Sequence, residues 1–220
     1  MYKKTFLILS CFFLINCESS SYDLVIKNGQ VFDGSGTESK TVDIAITGNT
    51  IIKVGKINSE KSTRVIDASG LIVSPGFIDT HAHLDPMDNL IKLSDSESHV
   101  RQGVTTSFGG PDGRGVPLKY GFKQYLDTIE KVGVGMNVGF LTGHNKIRRV
   151  VMNLDNREPT NDELEIMKNL ASKAMDEGAF GISTGLKYLP GNFSKVDEVI
   201  AISKEISNKG GIYTSHLRDE

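Results

Sequence analysis

The sequence predicts an α/β protein: a small N-terminal β-sandwich-like domain over residues 22–76, then an incomplete (β/α)8 TIM-like barrel over residues 77–220, with about five strands. Three observations predict it. Short strand-like runs separated by turn signals fill residues 22–76, with no helical period between them. After Pro75-Gly76, apolar strands alternate with segments of helical period, the pattern of parallel βα units. Histidines stand where two of those strands end.

Each element has its own signal. Tyr22–Lys27, reading YDLVIK, is a strand, and Asn28-Gly29 is the turn expected after it. Val42–Thr47 and Thr50–Val54 flank Gly48-Asn49, a hairpin signal. Arg64–Ile66 and Leu71–Val73 follow, parted by Ala68-Ser69-Gly70. The barrel strands are Phe77–His81, Val104–Gly109, Met136–Leu141, Ala179–Thr184 and Gly211–Ser215. The best-marked helix opens at Thr160, with Glu163 three residues on as a capping box. Leu164, Met167, Leu170, Ala171, Ala174 and Met175 form its apolar stripe, and Gly178 stops it. Val196, Val199, Ile200 and Ile206 mark another helix before Gly210-Gly211. A closed barrel takes about 250 residues, more than follow Gly76, so an N-terminal fragment is expected. A smaller open α/β sheet is the alternative. A part-barrel with two free sheet edges predicts poor solubility.

Composition excludes several classes. The 220 residues carry 25 Lys+Arg against 27 Asp+Glu, a net charge of −2, which excludes a nucleic-acid partner held by phosphate neutralisation. With 38% hydrophobic and 24% charged residues, the chain is too apolar to be disordered. Lys3 and Lys4 precede an apolar run from Phe6 to Ile15, the pattern of a secretory signal peptide over residues 1–17. Leu14-Ile15-Asn16-Cys17 resembles a lipobox, so Cys17 is the expected lipidation site, and an exported, lipid-anchored protein of a bacterial cell envelope is expected. An ordinary signal peptide with a chance cysteine is the alternative. Cys11 and Cys17 are the two cysteines, and neither remains for a disulfide or a catalytic thiolate. A metal must therefore use histidine, carboxylate or a modified side chain.

The sharpest chemical feature is His81-Ala82-His83 at the end of the first barrel strand. Residues two apart on a strand share a face, so both imidazoles enter one space and suit a divalent ion such as Zn. His216 closes the fifth strand and would aim at the same centre. Lys187, in the loop after the fourth strand, would bridge two cations if carboxylated; otherwise it is a solvated lysine. Asp112, in Gly109-Gly110-Pro111-Asp112-Gly113, is either a metal ligand or a turn aspartate. Tyr188 is a candidate hydrogen-bond donor to substrate, or a rim residue. His144 is a candidate to polarise a carbonyl, and Arg148 or Arg149 to pair with a substrate carboxylate; each is otherwise a surface residue. His99 reads as structural.

These blocks together form a known pattern. YDLVIKNGQVFDGSG and IDASGLIVSPGFIDTHAH resemble the opening of the amidohydrolase superfamily. GVTTSFGGPDG, LTGHNKIRR, GAFGISTGLKYLPG and GIYTSHLRDE are similar to its D-aminoacylase (N-acyl-D-amino-acid deacylase) branch. The resemblance runs from Tyr22 to Glu220. It implies a metal-dependent barrel, with His81 and His83 as first-strand ligands and His216 as the fifth-strand ligand. Relatives carry a metal-bridging cysteine after the second strand, where this chain has Asp112; Asp112 or a carboxylated Lys187 would take that place. One or two divalent ions, zinc above all, are the implied cofactors, and a small N-acyl amino acid is the implied substrate. A sixth-strand histidine and an eighth-strand catalytic aspartate are expected beyond residue 220, so the fragment alone is expected to be inactive. Cyclic-amide hydrolysis of the hydantoinase or dihydroorotase type is the runner-up. A non-catalytic, membrane-tethered binding lipoprotein is a third reading, and a degenerate gene product a fourth.

Overall fold

The computed structural model describes residues 22–84, 88–116 and 121–219. The leader, Cys11 and Cys17 lie outside the described residues. The chain divides into two compact units, with the boundary between Pro75 and Gly76.

The first unit contains β1 (Tyr22–Val31), β2 (Lys40–Thr47), β3 (Thr50–Gly55), β4 (Ser62–Asp67) and β5 (Ile72–Val73). They form one sheet in the order β3-β2-β1-β4, with β5 also paired to β1. The sandwich expectation is corrected here. β4 pairs with Tyr22–Lys27 and β5 with Gln30–Val31, so both extend the same edge of β1 and build no second layer among the described residues. Val25, Ala45 and Ile57 are its buried core. The β2–β3 hairpin closes at Thr47 opposite Thr50, with Gly48 at φ +55°, a first-position turn conformation that glycine adopts without strain. Asn28-Gly29 is not a turn. β1 continues through it as a bulge, its register shifting between Ile26 and Gly29. Asp43 Oδ1 accepts the Asn28 N–H at 3.0 Å, and the Asn28 amide donates to Asp67 Oδ1 at 3.0 Å, so the irregular residue is held from both sides.

The second unit runs β6 (Phe77–Asp79), α1 (Asp88–Lys92), α2 (Glu97–Val100), β7 (Val104–Gly109), α3 (Phe122–Val132), β8 (Asn137–Phe140), β9 (Thr142–Gly143), α4 (His144–Met152), α5 (Asn161–Asp176), β10 (Gly181–Gly185), α6 (Val196–Ser207) and β11 (Ile212–His216). All its strand pairs are parallel, in the orders β6-β7-β8 and β9-β10-β11. The strand expected at Met136–Leu141 is divided at Leu141. The Leu141 N–H donates back to Gly109 at 3.0 Å, while Phe140 accepts from the Phe180 N–H at 2.9 Å. One irregular strand thus serves both neighbours, and the strand positions follow chain order.

The first strand is shorter than Phe77–His81, but the Ala82 N–H still donates to Phe108 at 3.0 Å and prolongs the pairing with β7. Phe140 is fully buried, and the Tyr125 ring meets it edge-on at 5.4 Å and 83°. A second core gathers Ile147 from α4, Met167 and Ala171 from α5, Ile182 from β10 and Ile202 from α6. α5 carries the expected capping box: the Glu163 N–H donates to Thr160 Oγ1 at 3.2 Å, and the Thr160 N–H donates to Glu163 Oε2 at 2.8 Å. α6 exists, but its buried face is Glu198, Ile202 and Ile206, not Val196 and Ile200, which are exposed. A paired glutamate occupies the inward face where the hydrophobic period alone predicted apolar residues. Among the described residues, no helix is long and apolar enough to cross a membrane.

Candidate metal centre

His81 and His83 follow β6, one on each side of the buried Ala82. Their rings lie 5.3 Å apart, and both are about half exposed. Asp112 lies in the loop after β7, buried and in the left-handed region at φ +57°. His216 ends β11, with a side chain 19% exposed. Four strand-end groups thus converge from β6, β7 and β11.

The distances are those of a ligand set. His83 Nε2 is 3.2 Å from Asp112 Oδ2, His81 Nε2 is 3.6 Å from Oδ1, and His216 Nδ1 is 3.6 Å from Oδ1. Two atoms bound to one tetrahedral ion at about 2.1 Å stand about 3.4 Å apart. One donor atom from each of His81, His83 and Asp112 lies within 4.8 Å of the others. Asp112 Oδ1 is buried and accepts no hydrogen bond. A buried carboxylate oxygen without a donor is costly unless a cation compensates it. Nitrogen and oxygen donors without thiolate suit zinc or a similar divalent ion. The residues therefore fit such a group.

The Asp112 loop is clamped rather than loose. The Gly113 N–H donates to Ser183 Oγ at 2.9 Å, and that hydroxyl donates on to the Gly110 carbonyl at 2.6 Å. The Lys146 N–H donates to the Gly113 carbonyl at 3.3 Å. A Cβ on Gly113 would stand 2.0 Å from Asn145 Oδ1, and one on Gly185 would stand 2.2 Å from the Asp112 carbonyl. Neither position has room for a side chain beside the carboxylate.

The other expected site residues divide. The ring of Tyr188 lies 4.7 Å from that of His216, at 51°, so it borders the centre. Lys187 beside it is exposed. Arg149 is exposed on α4. His144 and Arg148 are fully buried rather than at the surface, and both pair with Glu198 of α6. His144 Nε2 lies 2.9 Å from Glu198 Oε1, and Arg148 bonds Oε2. Arg148 also donates to the carbonyls of Arg157 at 2.7 Å and Asp155 at 3.3 Å, which leaves no fork for a ligand. Burial pushes the Glu198 carboxyl up, but its contacts with His144 and Arg148 outweigh this and hold it below the usual carboxylate range.

Sequence reasoning missed Ser183, Asn145 and Glu198. Ser183 had a signal, a hydroxyl inside a strand whose five residues are all buried. Asn145 and Glu198 had none, because their partners lie 40 to 54 residues away.

Residues 64–205 match the sequence profile of the amidohydrolase family. The D-aminoacylase of Alcaligenes xylosoxydans xylosoxydans is 33% identical over 223 residues, which cover 92% of this chain and 46% of that protein. The chain thus spans about half the length of the curated relatives it matches. A solved D-aminoacylase, described for the role of its binuclear metal center, superposes with a TM-score of 0.83 at 32% identity, over 90% of this chain and 46% of the other. The N-acyl-D-glutamate deacylase of Bordetella bronchiseptica, complexed with zinc and a phosphonate mimic of the tetrahedral intermediate, superposes with a TM-score of 0.82 at 28% identity, over 90% and 46%. Profile, identity and backbone agree with one another, and the chain belongs to the amidohydrolase family.

Proposed function

We propose that this chain carries the metal centre of a hydrolase that cleaves the linear amide of N-acyl-D-amino acids. One observation carries the reading: Asp112 Oδ1, buried and without a hydrogen-bond donor, faces the imidazoles of His81 and His216. The relatives named above, D-aminoacylase and N-acyl-D-glutamate deacylase, support the substrate class.

His81, His83 and Asp112 would hold one divalent ion, zinc being the ion their donors favour. His216 Nδ1, also 3.6 Å from Oδ1, would let Asp112 help hold a second ion. Asp112 takes that role in preference to a carboxylated Lys187, because three imidazoles face it. An ion held there supplies Lewis-acid activation of water and of the substrate carbonyl at neutral pH. The chain's own part is positional. Ser183 and the Lys146 N–H fix the Asp112 loop, Asn145 fixes the loop from Gly185 to Tyr188, and Tyr188 offers a phenol beside His216 for a substrate oxygen.

The unit is further proposed to be part of a larger barrel. β6 and β11 are edge strands with exposed apolar side chains, Phe77 at 60% and Ile212 at 53%, as strands awaiting further partners would have. Export and a lipid anchor at Cys17 stay proposals resting on the sequence pattern.

Metal analysis and turnover of N-acetyl-D-amino acids by the intact protein test this reading. Expected are bound zinc and metal-dependent release of free D-amino acid. Turnover that survives combined His81→Ala and His83→Ala substitution would overturn the metal assignment.

A further inference from the structure

We propose that Glu198 is a positioning residue for the metal centre: through His144 it sets the first turn of α4, and that turn holds the loops of Asp112 and Tyr188. The proposal rests on the metal-centre reading above and adds to it a residue from outside the site.

The link starts in the protein interior. Glu198 lies in the first turn of α6, and both its carboxylate oxygens are taken: Oε1 lies 2.9 Å from His144 Nε2, and Oε2 accepts from Arg148. All three side chains are buried, His144 and Arg148 fully. His144 Nδ1 is buried with no hydrogen-bond partner among the described residues. A proton on Nδ1 would have no acceptor, so the ring carries its proton on Nε2 and donates it to Glu198. The direction of the ring thus rests on one hydrogen bond. Replacing a buried ion pair by packed apolar side chains commonly costs no stability. The geometry that Glu198 fixes therefore accounts for the pair better than stability does.

From His144 the link runs along the backbone. His144 is the first residue of α4, and the N-cap before it, Gly143, supplies no side-chain cap. Glu198 provides from α6 the tie that a capping side chain would give this helix end. The next two residues reach the site. Asn145 holds the backbone of Gly185 and the Tyr188 carbonyl. The Lys146 N–H holds the carbonyl of Gly113, which follows Asp112. All three residues share one helical turn, so a rotation of that turn would shift Asp112 and Tyr188 together.

Zinc titration of the intact protein, paired with denaturant unfolding of the same variants, tests this. His144→Leu removes the hydrogen bond, and zinc affinity is expected to fall about tenfold, as when a group supporting a ligand is lost. His144→Gln, whose amide nitrogen can reach the same carboxylate oxygen, should recover most of it. His144→Asn is too short to reach Glu198 and should repeat the loss, which keeps the test open if the leucine variant does not fold. Met167→Ala opens the apolar core beside α4 without touching the link. It should lose stability and keep wild-type zinc affinity. Wild-type affinity in folded His144→Leu or His144→Asn, or an equal loss in Met167→Ala, would show that the pair is structural only and overturn the proposal. A wild type that binds no zinc would remove the metal centre and the proposal with it. Zinc binding that follows the expected order, in a protein that hydrolyses no N-acetyl-D-amino acid, would refute the deacylase reading and leave the role of Glu198 standing.

Discussion

The side-chain amide of Asn145 pairs with the backbone of Gly185 in both directions: Nδ2 donates to the carbonyl at 3.0 Å, and Oδ1 accepts the N–H at 3.1 Å. The same Nδ2 reaches the Tyr188 carbonyl at 3.2 Å. One residue further on, the Lys146 N–H holds the Gly113 carbonyl. The first turn of α4 thus ties the loop after β7, which carries Asp112, to the loop after β10, which carries Tyr188.

Asn145→Ala should therefore weaken the centre without removing a ligand. It leaves the Gly185 N–H and two carbonyls without their partner, at about 1–3 kcal/mol for each group that stays buried and unpaired. We expect a stability loss of about 2 kcal/mol and zinc affinity reduced on the order of tenfold, as when a group supporting a ligand is lost. Asn145→Asp should be worse than alanine, because it sets a carboxylate oxygen against two carbonyl oxygens. Denaturant unfolding and zinc titration of both variants check this; unaltered zinc affinity in Asn145→Ala would refute the coupling.

Glu198 should make the protein acid-sensitive. Its folded value lies below the ordinary one, so its stabilising contribution is full above the usual glutamate pKa, about 4.3, and fades as pH falls through the lowered value. Glu198→Ala removes the partner of two buried basic groups, at about 3–5 kcal/mol near neutral pH. The variant should also show a shallower loss of stability between neutral pH and pH 3. Urea midpoints across that range measure both effects, and parallel curves for wild type and variant would contradict the assignment.

The contrast between His81 and His144 shows what was legible. His81 and His83 stand at a strand end two residues apart, and backbone geometry alone sends both toward one space. His144 also follows a strand, but its direction depends on Glu198, a residue 54 positions later on another helix. Local pattern cannot supply that pairing. The same glutamate explains why the buried face of α6 was misread, since a paired acid is invisible to hydrophobic period. Asn28-Gly29 was misread for a related reason: Asp43 and Asp67 satisfy its polar groups and let the strand continue. The hairpin at Gly48-Asn49 and the helix start at Thr160 were legible because each is closed within a few residues.

Thr160→Ala tests that local reading. The hydroxyl accepts one of the free N–H groups at the start of α5. Its loss should cost about 1 kcal/mol. Glu163 would keep its two hydrogen bonds from Arg157, each 2.7 Å, which with the Thr160 N–H hold its carboxyl down to about 2. The helix should therefore persist and the loss stay small. Thermal unfolding of the variant at pH 7 reads it, and a loss above about 2 kcal/mol would show that Thr160 does more than cap.

Asp112 discriminates between a metal centre and a mere cluster of histidines around an acid. If the carboxylate serves only as a charge partner for His81, His83 and His216, Asp112→Ala should lower stability by the same amount with and without zinc. If it is a ligand, zinc should stabilise wild type by about 2.7 kcal/mol at one hundred times its dissociation constant, and most of that gain should vanish in Asp112→Ala. Asp112→Cys separates the cases further. A thiolate at this position can still complete a set with imidazoles, so zinc binding should survive while preference shifts toward softer ions. Thermal unfolding of the three proteins with zinc and with a chelator reads the outcome. Equal zinc response in wild type and Asp112→Ala would remove Asp112 from the ligand set and leave His81 and His83 with no acidic partner in it.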